Sequence, residues 1–62
     1  MTKTTLAAGQ RWVPMKGLTR IIVWISRGGE FVDYTTTSGE TNYWNVHSFL
    51  AWIARTGAKL EG

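Results

Sequence analysis

Few residues in this chain are suited to catalysis, and their spacing does not form a catalytic site. The sequence has one histidine, His47, four carboxylates and no cysteine. Acid–base or nucleophilic catalysis needs a reactive side chain within hydrogen-bond reach of a positioned partner, and the pattern offers His47 none. The glycines follow neither the GxGxxG nor the GxxxxGK phosphate-binding pattern. We therefore expect no enzyme activity, no metal site and no cofactor.

The residues that favour a binding function are aromatic, and they surround one carboxylate. If the middle of the chain folds as a meander of strands, cross-strand pairing places Trp24, Asp33 and Trp44 in one row, with Ile22 and Phe31 on the same face. Aromatic rings on a sheet surface stack on the bases of single-stranded nucleic acid, and nearby cations neutralise its phosphates. The predicted nucleic-acid or partner site consists of Trp24, Trp44, Phe31, Asp33, Arg20, Arg27 and Lys16.

Two other interpretations of this aromatic face stay open. In the first, a helix covers the face and makes it part of the core, since a small domain has little apolar area to spare. In the second, the face contacts another protein or a second copy of the chain. A carboxylate between rings suits a cationic or peptide partner, and exposed edge strands allow strand addition. Nucleic-acid binding is the main hypothesis, and a protein-interaction module or homodimer is the alternative.

Length and charge limit the class of protein. The chain has 62 residues, which is enough for one small domain. Its net charge of +3 permits contact with nucleic acid without requiring it. No apolar segment approaches the ~18–20 residues that a membrane-spanning helix needs, and the first residues do not resemble a signal peptide. We expect a cytoplasmic protein that makes no membrane contact.

A single β-rich domain over residues 9–59, preceded by a flexible arm at residues 1–8, is expected to position the site. Segments rich in β-branched and aromatic residues predict strands near residues 10–14, 19–26, 31–37 and 41–44. Leu60, Glu61 and Gly62 are compatible with either a native end or a cloning remnant, and the predicted fold does not include them.

Two glycine-containing turns predict the register of the meander. Gly28-Gly29 and Ser38-Gly39 each lie between predicted strands, and two-residue hairpin turns favour such sequences. Treating each dipeptide as a two-residue loop determines which side chains share a face. The resulting pairs are Trp24–Asp33, Val23–Tyr34, Asp33–Trp44 and Tyr34–Tyr43.

After the meander, the apolar period changes to that of a helix near residues 46–56. Asn45 is a suitable N-cap and Gly57 a suitable residue to follow the last turn. Closing a small barrel requires a contact between the first strand and the last element, so we expect Trp12 to pack on this helix near Phe49, Trp52 or Ile53. The apolar stripe of the helix is Val46, Phe49, Leu50 and Ile53.

The order of elements resembles a known group of proteins. A short strand at Gly9-Gln10-Arg11-Trp12, a long meander and a helix from Val46 to Thr56 are similar to the small SH3-like barrel proteins, many of them encoded by phages and prophages and often without known function. The resemblance covers residues 9–57 and implies a binding module. The ALYDY-like segment and loop signatures of peptide-binding SH3 domains are missing, so their binding residues are not carried over.

The sequence as a whole predicts an α+β fold. We expect a small antiparallel sheet of three to four strands, strongly bent or closed into a partly open SH3-like barrel, with one C-terminal helix. A flat three-stranded sheet that carries the helix on one face is the second possibility.

Overall fold

The computed structural model describes residues 6–61, which form one antiparallel sheet and one helix. The elements in chain order are β1 (Arg11–Val13), β2 (Arg20–Ile25), β3 (Phe31–Thr36), β4 (Thr41–Asn45), α1 (Val46–Thr56) and β5 (Lys59–Glu61). The strands are arranged in the order β4-β3-β2-β1-β5, and each neighbouring pair is antiparallel. The predicted α+β class, with a small antiparallel sheet and a helix towards the C terminus, is confirmed.

The β2–β3 hairpin follows the predicted register only in the half nearest its turn. Trp24 pairs with Asp33 as expected, but a β-bulge between Ile22 and Trp24 places Ile22, rather than Val23, opposite Tyr34. A bulge adds one unpaired residue to a strand and so exchanges the faces of the residues beyond it. Ile22 is therefore completely buried, whereas Val23 is 49% exposed. The predicted faces of these two residues are wrong.

The β3–β4 hairpin is displaced by one residue from its predicted register. Asp33 lies opposite Tyr43 rather than Trp44. The amide of Thr36 donates to the carbonyl of Glu40 at 2.9 Å, so the loop between these two residues is one residue longer than the predicted dipeptide. Because side chains alternate along a strand, this single residue exchanges the faces of Tyr43 and Trp44.

Local capping signals correctly predict the bounds of α1. The side chain of Asn45 accepts a hydrogen bond from the amide of His47 at 2.7 Å. Gly57 has a φ of 68°, in the left-handed region that favours glycine, and its amide donates to the carbonyl of Ile53. No helix within residues 6–61 has the length and apolar character needed to cross a bilayer.

The core lies between α1 and the face of the sheet that α1 covers, which we call the inner face. The rings of Tyr34 and Phe49 pack edge to face with their centroids 5.3 Å apart. Trp12 belongs to the same buried cluster as Phe49 and Trp52, as predicted. The buried apolar residues of the described chain are Trp12, Ile22, Val32, Tyr34, Phe49, Trp52 and Ala58.

Both ends of the described chain extend the domain beyond the predicted elements. The C-terminal residues left out of the predicted fold contribute to β5, in which Leu60 pairs with Trp12 and Glu61 with Arg11. The carboxylate of Glu61 lies 2.6 Å from Nε of Arg11. Of the predicted arm, residues 1–5 lie outside the described part of the chain, and Leu6 packs against the core.

Candidate functional site

The face of the sheet opposite α1, the outer face, presents aromatic rings to solvent. Trp24 and Tyr43 both pair with Asp33, so the three side chains form one row across β2, β3 and β4. Phe31 stacks on Tyr43 with ring centroids 5.4 Å apart and planes inclined by 14°. The rings of Trp24, Phe31 and Tyr43 are 50%, 38% and 59% exposed. We call Trp24, Phe31, Asp33 and Tyr43 the outer aromatic face.

The turn between β2 and β3 positions one end of this face. The hydroxyl of Ser26 accepts hydrogen bonds from the amides of Glu30 and Phe31 at 3.1 and 3.0 Å. The carbonyl of Glu30 in turn accepts from the amide of Val46, the first residue of α1. These bonds tie the start of β3 to the turn and to the helix, and they orient Phe31 towards its partner Tyr43.

The structure divides the predicted site between several places. Trp24, Phe31 and Asp33 lie together on the outer face, as predicted. Trp44 lies on the inner face because of the register shift, and Tyr43 occupies the predicted position of Trp44. Tyr43 was therefore missed, and only the length of the β3–β4 loop could have revealed it.

The three predicted cations are also separated. Arg27 is exposed in the β2–β3 turn, which precedes Phe31 at the start of β3. Lys16 is exposed in the loop between β1 and β2. Arg20 extends from the start of β2 over the inner face, where it contacts the core rings. Arg20 is therefore removed from the predicted binding surface.

Arg20 occupies an aromatic cage, formed by Tyr34, Trp44 and Trp52. Its Cζ lies 4.1 Å from the ring centroid of Trp52 and 4.7 Å from those of Tyr34 and Trp44. Ring faces attract cations through their quadrupole, so the cage stabilises the guanidinium away from bulk water. Nη1 of Arg20 is nevertheless buried without a hydrogen-bond partner among the described residues.

Burial shifts the pKa of two groups in this cage in opposite directions. It lowers the pKa of Arg20, because removal from water disfavours the charged guanidinium, and the charge of Arg55 acts in the same direction. It raises the pKa of Tyr34, because burial disfavours the phenolate, although the charge of Arg20 partly opposes this rise. Both groups therefore lie where charge is poorly solvated.

A cleft of about 400 Å³ opens beside the cage, and we call it the Arg20 cleft. Besides Arg20, the charged residues of its lining are Lys16 from the β1–β2 loop and Glu40 from the β3–β4 turn. Asn42 lines it from β4. No local sequence pattern indicates this cleft, because its walls come from four separate segments of the chain.

The described part of the chain contains no cluster of side chains suited to binding a metal ion. Within residues 6–61, histidine, aspartate and glutamate form no group of three that could hold an ion.

Comparisons of the chain with known protein families, with curated proteins and with solved structures find no match. We infer function from the outer aromatic face and the Arg20 cleft.

Proposed function

We propose that this protein is a small non-enzymatic module that binds single-stranded nucleic acid on its outer aromatic face. The observation that carries the proposal is the row of Trp24 and Tyr43 around Asp33, with Phe31 stacked on Tyr43 and all three rings partly exposed. A binding module is also what the resemblance to small SH3-like barrel proteins implies. We expect it to act in the cytoplasm.

The geometry of the row suits unpaired bases. Trp24 lies on β2 and Tyr43 on β4, which are two strand spacings or about 10 Å apart. This separation provides two stacking positions, one on Trp24 and one on the Phe31–Tyr43 pair. Stacking on an aromatic side chain contributes about 1–3 kcal/mol per base, and paired bases inside a duplex are not available for it.

Asp33 indicates how the strand lies on the face. Its carboxylate repels phosphate, so we expect the bases rather than the backbone to face the row. A carboxylate accepts hydrogen bonds from exocyclic amino groups, such as N4 of cytosine. The backbone then runs past the rim of the sheet, where the exposed Arg27 meets a phosphate.

The test is a titration of labelled oligonucleotides followed by fluorescence anisotropy at low salt. We expect a single strand to bind more tightly than the duplex of the same sequence, with an affinity that falls as salt rises because phosphate contacts release counterions. Trp24→Ala should weaken binding about tenfold or more, as expected for the loss of one stacked base.

Met15→Ala is the matched control, since Met15 is 85% exposed but lies beside Gly57 at the end of α1. It should bind the single strand like the original chain. Equal affinity for strand and duplex, or full affinity of Trp24→Ala, would contradict the proposal.

Association of two copies through the same face is the second candidate, because Val23 extends the exposed apolar surface next to Trp24. The edge strand β4 also leaves backbone groups free for pairing. Sedimentation equilibrium distinguishes the two: a dimer that Trp24→Ala dissociates supports self-association, and a monomer that binds the strand supports the first proposal.

A further inference from the structure

We propose that the Arg20 cleft binds a carboxylate group, carried by a small monocarboxylic acid or by the C terminus of a peptide. The cleft is on the inner side of the sheet, away from the outer aromatic face. This inference therefore does not depend on nucleic-acid binding, and the two can fail separately.

The guanidinium of Arg20 is incompletely solvated in its aromatic cage. The rings of Tyr34, Trp44 and Trp52 attract its charge but do not replace the hydrogen bonds that water gives a guanidinium. Nη1 is buried without an acceptor, and an unsatisfied buried donor of a charged group is costly. Arg20 also lines the cleft, and a carboxylate there supplies a counter-charge and an acceptor for the guanidinium N–H groups that reach the cleft.

The charge of the cleft lining favours a ligand with a single negative charge. Lys16 and Arg20 contribute two positive charges, and Glu40 contributes one negative charge. One monoanion therefore neutralises the lining, whereas a dianionic phosphate monoester leaves it negative. Among the described residues, the ion pair of the protein joins Arg11 and Glu61. Neither Lys16 nor Arg20 therefore forms an ion pair with a carboxylate of the described chain.

The size and the lining of the cleft suit a small organic acid. The cleft of about 400 Å³ falls within the ~300–1,000 Å³ typical of small-molecule sites. Leu18, which is 49% exposed, and the partly buried Trp44 provide apolar surface for the body of the ligand, and the exposed Asn42 provides a polar group. These features favour an acid with a flat or apolar body over a small hydrophilic anion.

The test uses benzoate and a pentapeptide with a free C terminus, with benzamide and the amidated pentapeptide as neutral controls. Nuclear magnetic resonance follows the indole signals of Trp44 and Trp52 and the Nε signal of Arg20. We expect benzoate or the free peptide to shift these signals saturably, and the neutral controls to leave them unchanged. Tighter binding of benzoate would indicate a small monocarboxylic acid as the ligand, and tighter binding of the free peptide would indicate a peptide C terminus.

Variants at the rim test the electrostatic argument without disturbing the core, because Lys16 and Glu40 are exposed. Lys16→Gln should weaken benzoate binding about two- to fivefold, and Glu40→Gln should strengthen it by a similar factor, as expected for charges partly screened by solvent. Arg27→Gln removes the same charge as Lys16→Gln but outside the cleft lining, and it should bind benzoate normally. Arg20→Gln should abolish binding, with its fold verified by near-ultraviolet circular dichroism.

Several results would overturn the inference. The Trp44 and Trp52 signals would remain unchanged at high benzoate concentration, or they would respond equally to benzamide. Inorganic phosphate would bind more tightly than benzoate, or Lys16→Gln and Glu40→Gln would change the affinity in the same direction. Trp24→Ala should leave benzoate binding intact, which separates failure of this site from failure of the outer aromatic face.

Discussion

Both faces of the sheet carry aromatic rings around a charged side chain, but the sign of that charge and the burial of the rings differ between the faces. On the inner face, aromatic rings surround a cation, Arg20, and burial joins them to the core. On the outer face, aromatic rings flank a carboxylate, Asp33, and remain partly exposed. Ring faces attract cations and repel anions, so the inner arrangement stabilises itself whereas the outer one gains nothing from its central charge. The inner rings therefore contribute more to stability than the outer rings, which stay accessible to solvent.

The largest expected difference between the faces is in stability. Trp12→Ala removes a buried ring of the core and should cost about 3–5 kcal/mol, enough to unfold a domain of this size. Trp24→Ala removes a half-exposed ring and should cost less than about 1 kcal/mol. Thermal melts of the two variants measure the difference. Equal damage by both would place the outer aromatic face in the core and remove the proposed binding site.

Asp33→Asn tests the role of the outer carboxylate. Removing its charge should strengthen binding of a thymine-rich single strand at low salt by about two- to fivefold, since phosphate repulsion falls. It should also reduce any preference for cytosine over thymine, because an amide is a weaker acceptor than a carboxylate. Competition titrations with oligothymidine and oligocytidine strands measure both the affinity and the base preference. An unchanged affinity for both polymers would show that the strand does not pass over Asp33.

Tyr34 should make the inner face sensitive to alkali. Burial raises its pKa above the usual 10.0, so its contribution to stability is complete below that value and is lost as pH rises through the pKa of the folded state. Urea midpoints measured from about pH 8 to about pH 11 should decline for the original chain and decline less for Tyr34→Phe.

Tyr43→Phe is the control for this experiment, because it removes the same hydroxyl from an exposed ring of the outer face. Its alkaline decline should equal that of the original chain. If Tyr43→Phe instead removed the decline, the assignment to the inner face would be wrong.

The smallest expected effect concerns the edge of the sheet. Arg11 and Glu61 form an ion pair with side chains 46% and 55% exposed, and such surface pairs contribute about 0–1 kcal/mol. Glu61→Gln should therefore lower stability by no more than this, with an effect that disappears at high salt. Deleting residues 59–62 should be much more damaging, because it removes the strand that pairs with Trp12. Equal effects of the two changes would show that β5 contributes little beyond its ion pair.

Local signals in the sequence determined α1 and the strands β1 to β4, but not β5. Asn45 caps the start of α1 and Gly57 caps its end, each through hydrogen bonds that span only a few residues. The limits of the helix were therefore predictable. The β-branched and aromatic segments likewise predicted β2, β3 and β4 close to their observed positions. The pairing of Trp24 with Asp33 followed from its closeness to the β2–β3 turn.

Tertiary structure decided the faces and the two proposed sites. The bulge beside Val23 places Ile22 in the core, and one added loop residue before β4 exchanges Tyr43 with Trp44. The bulge has no local signal, and two loop lengths were compatible with the turn sequence before β4, because a register is selected by the packing of whole strands. The aromatic cage of Arg20 and the pairing of β5 with β1 join segments distant in the chain, so only the folded arrangement brings them together.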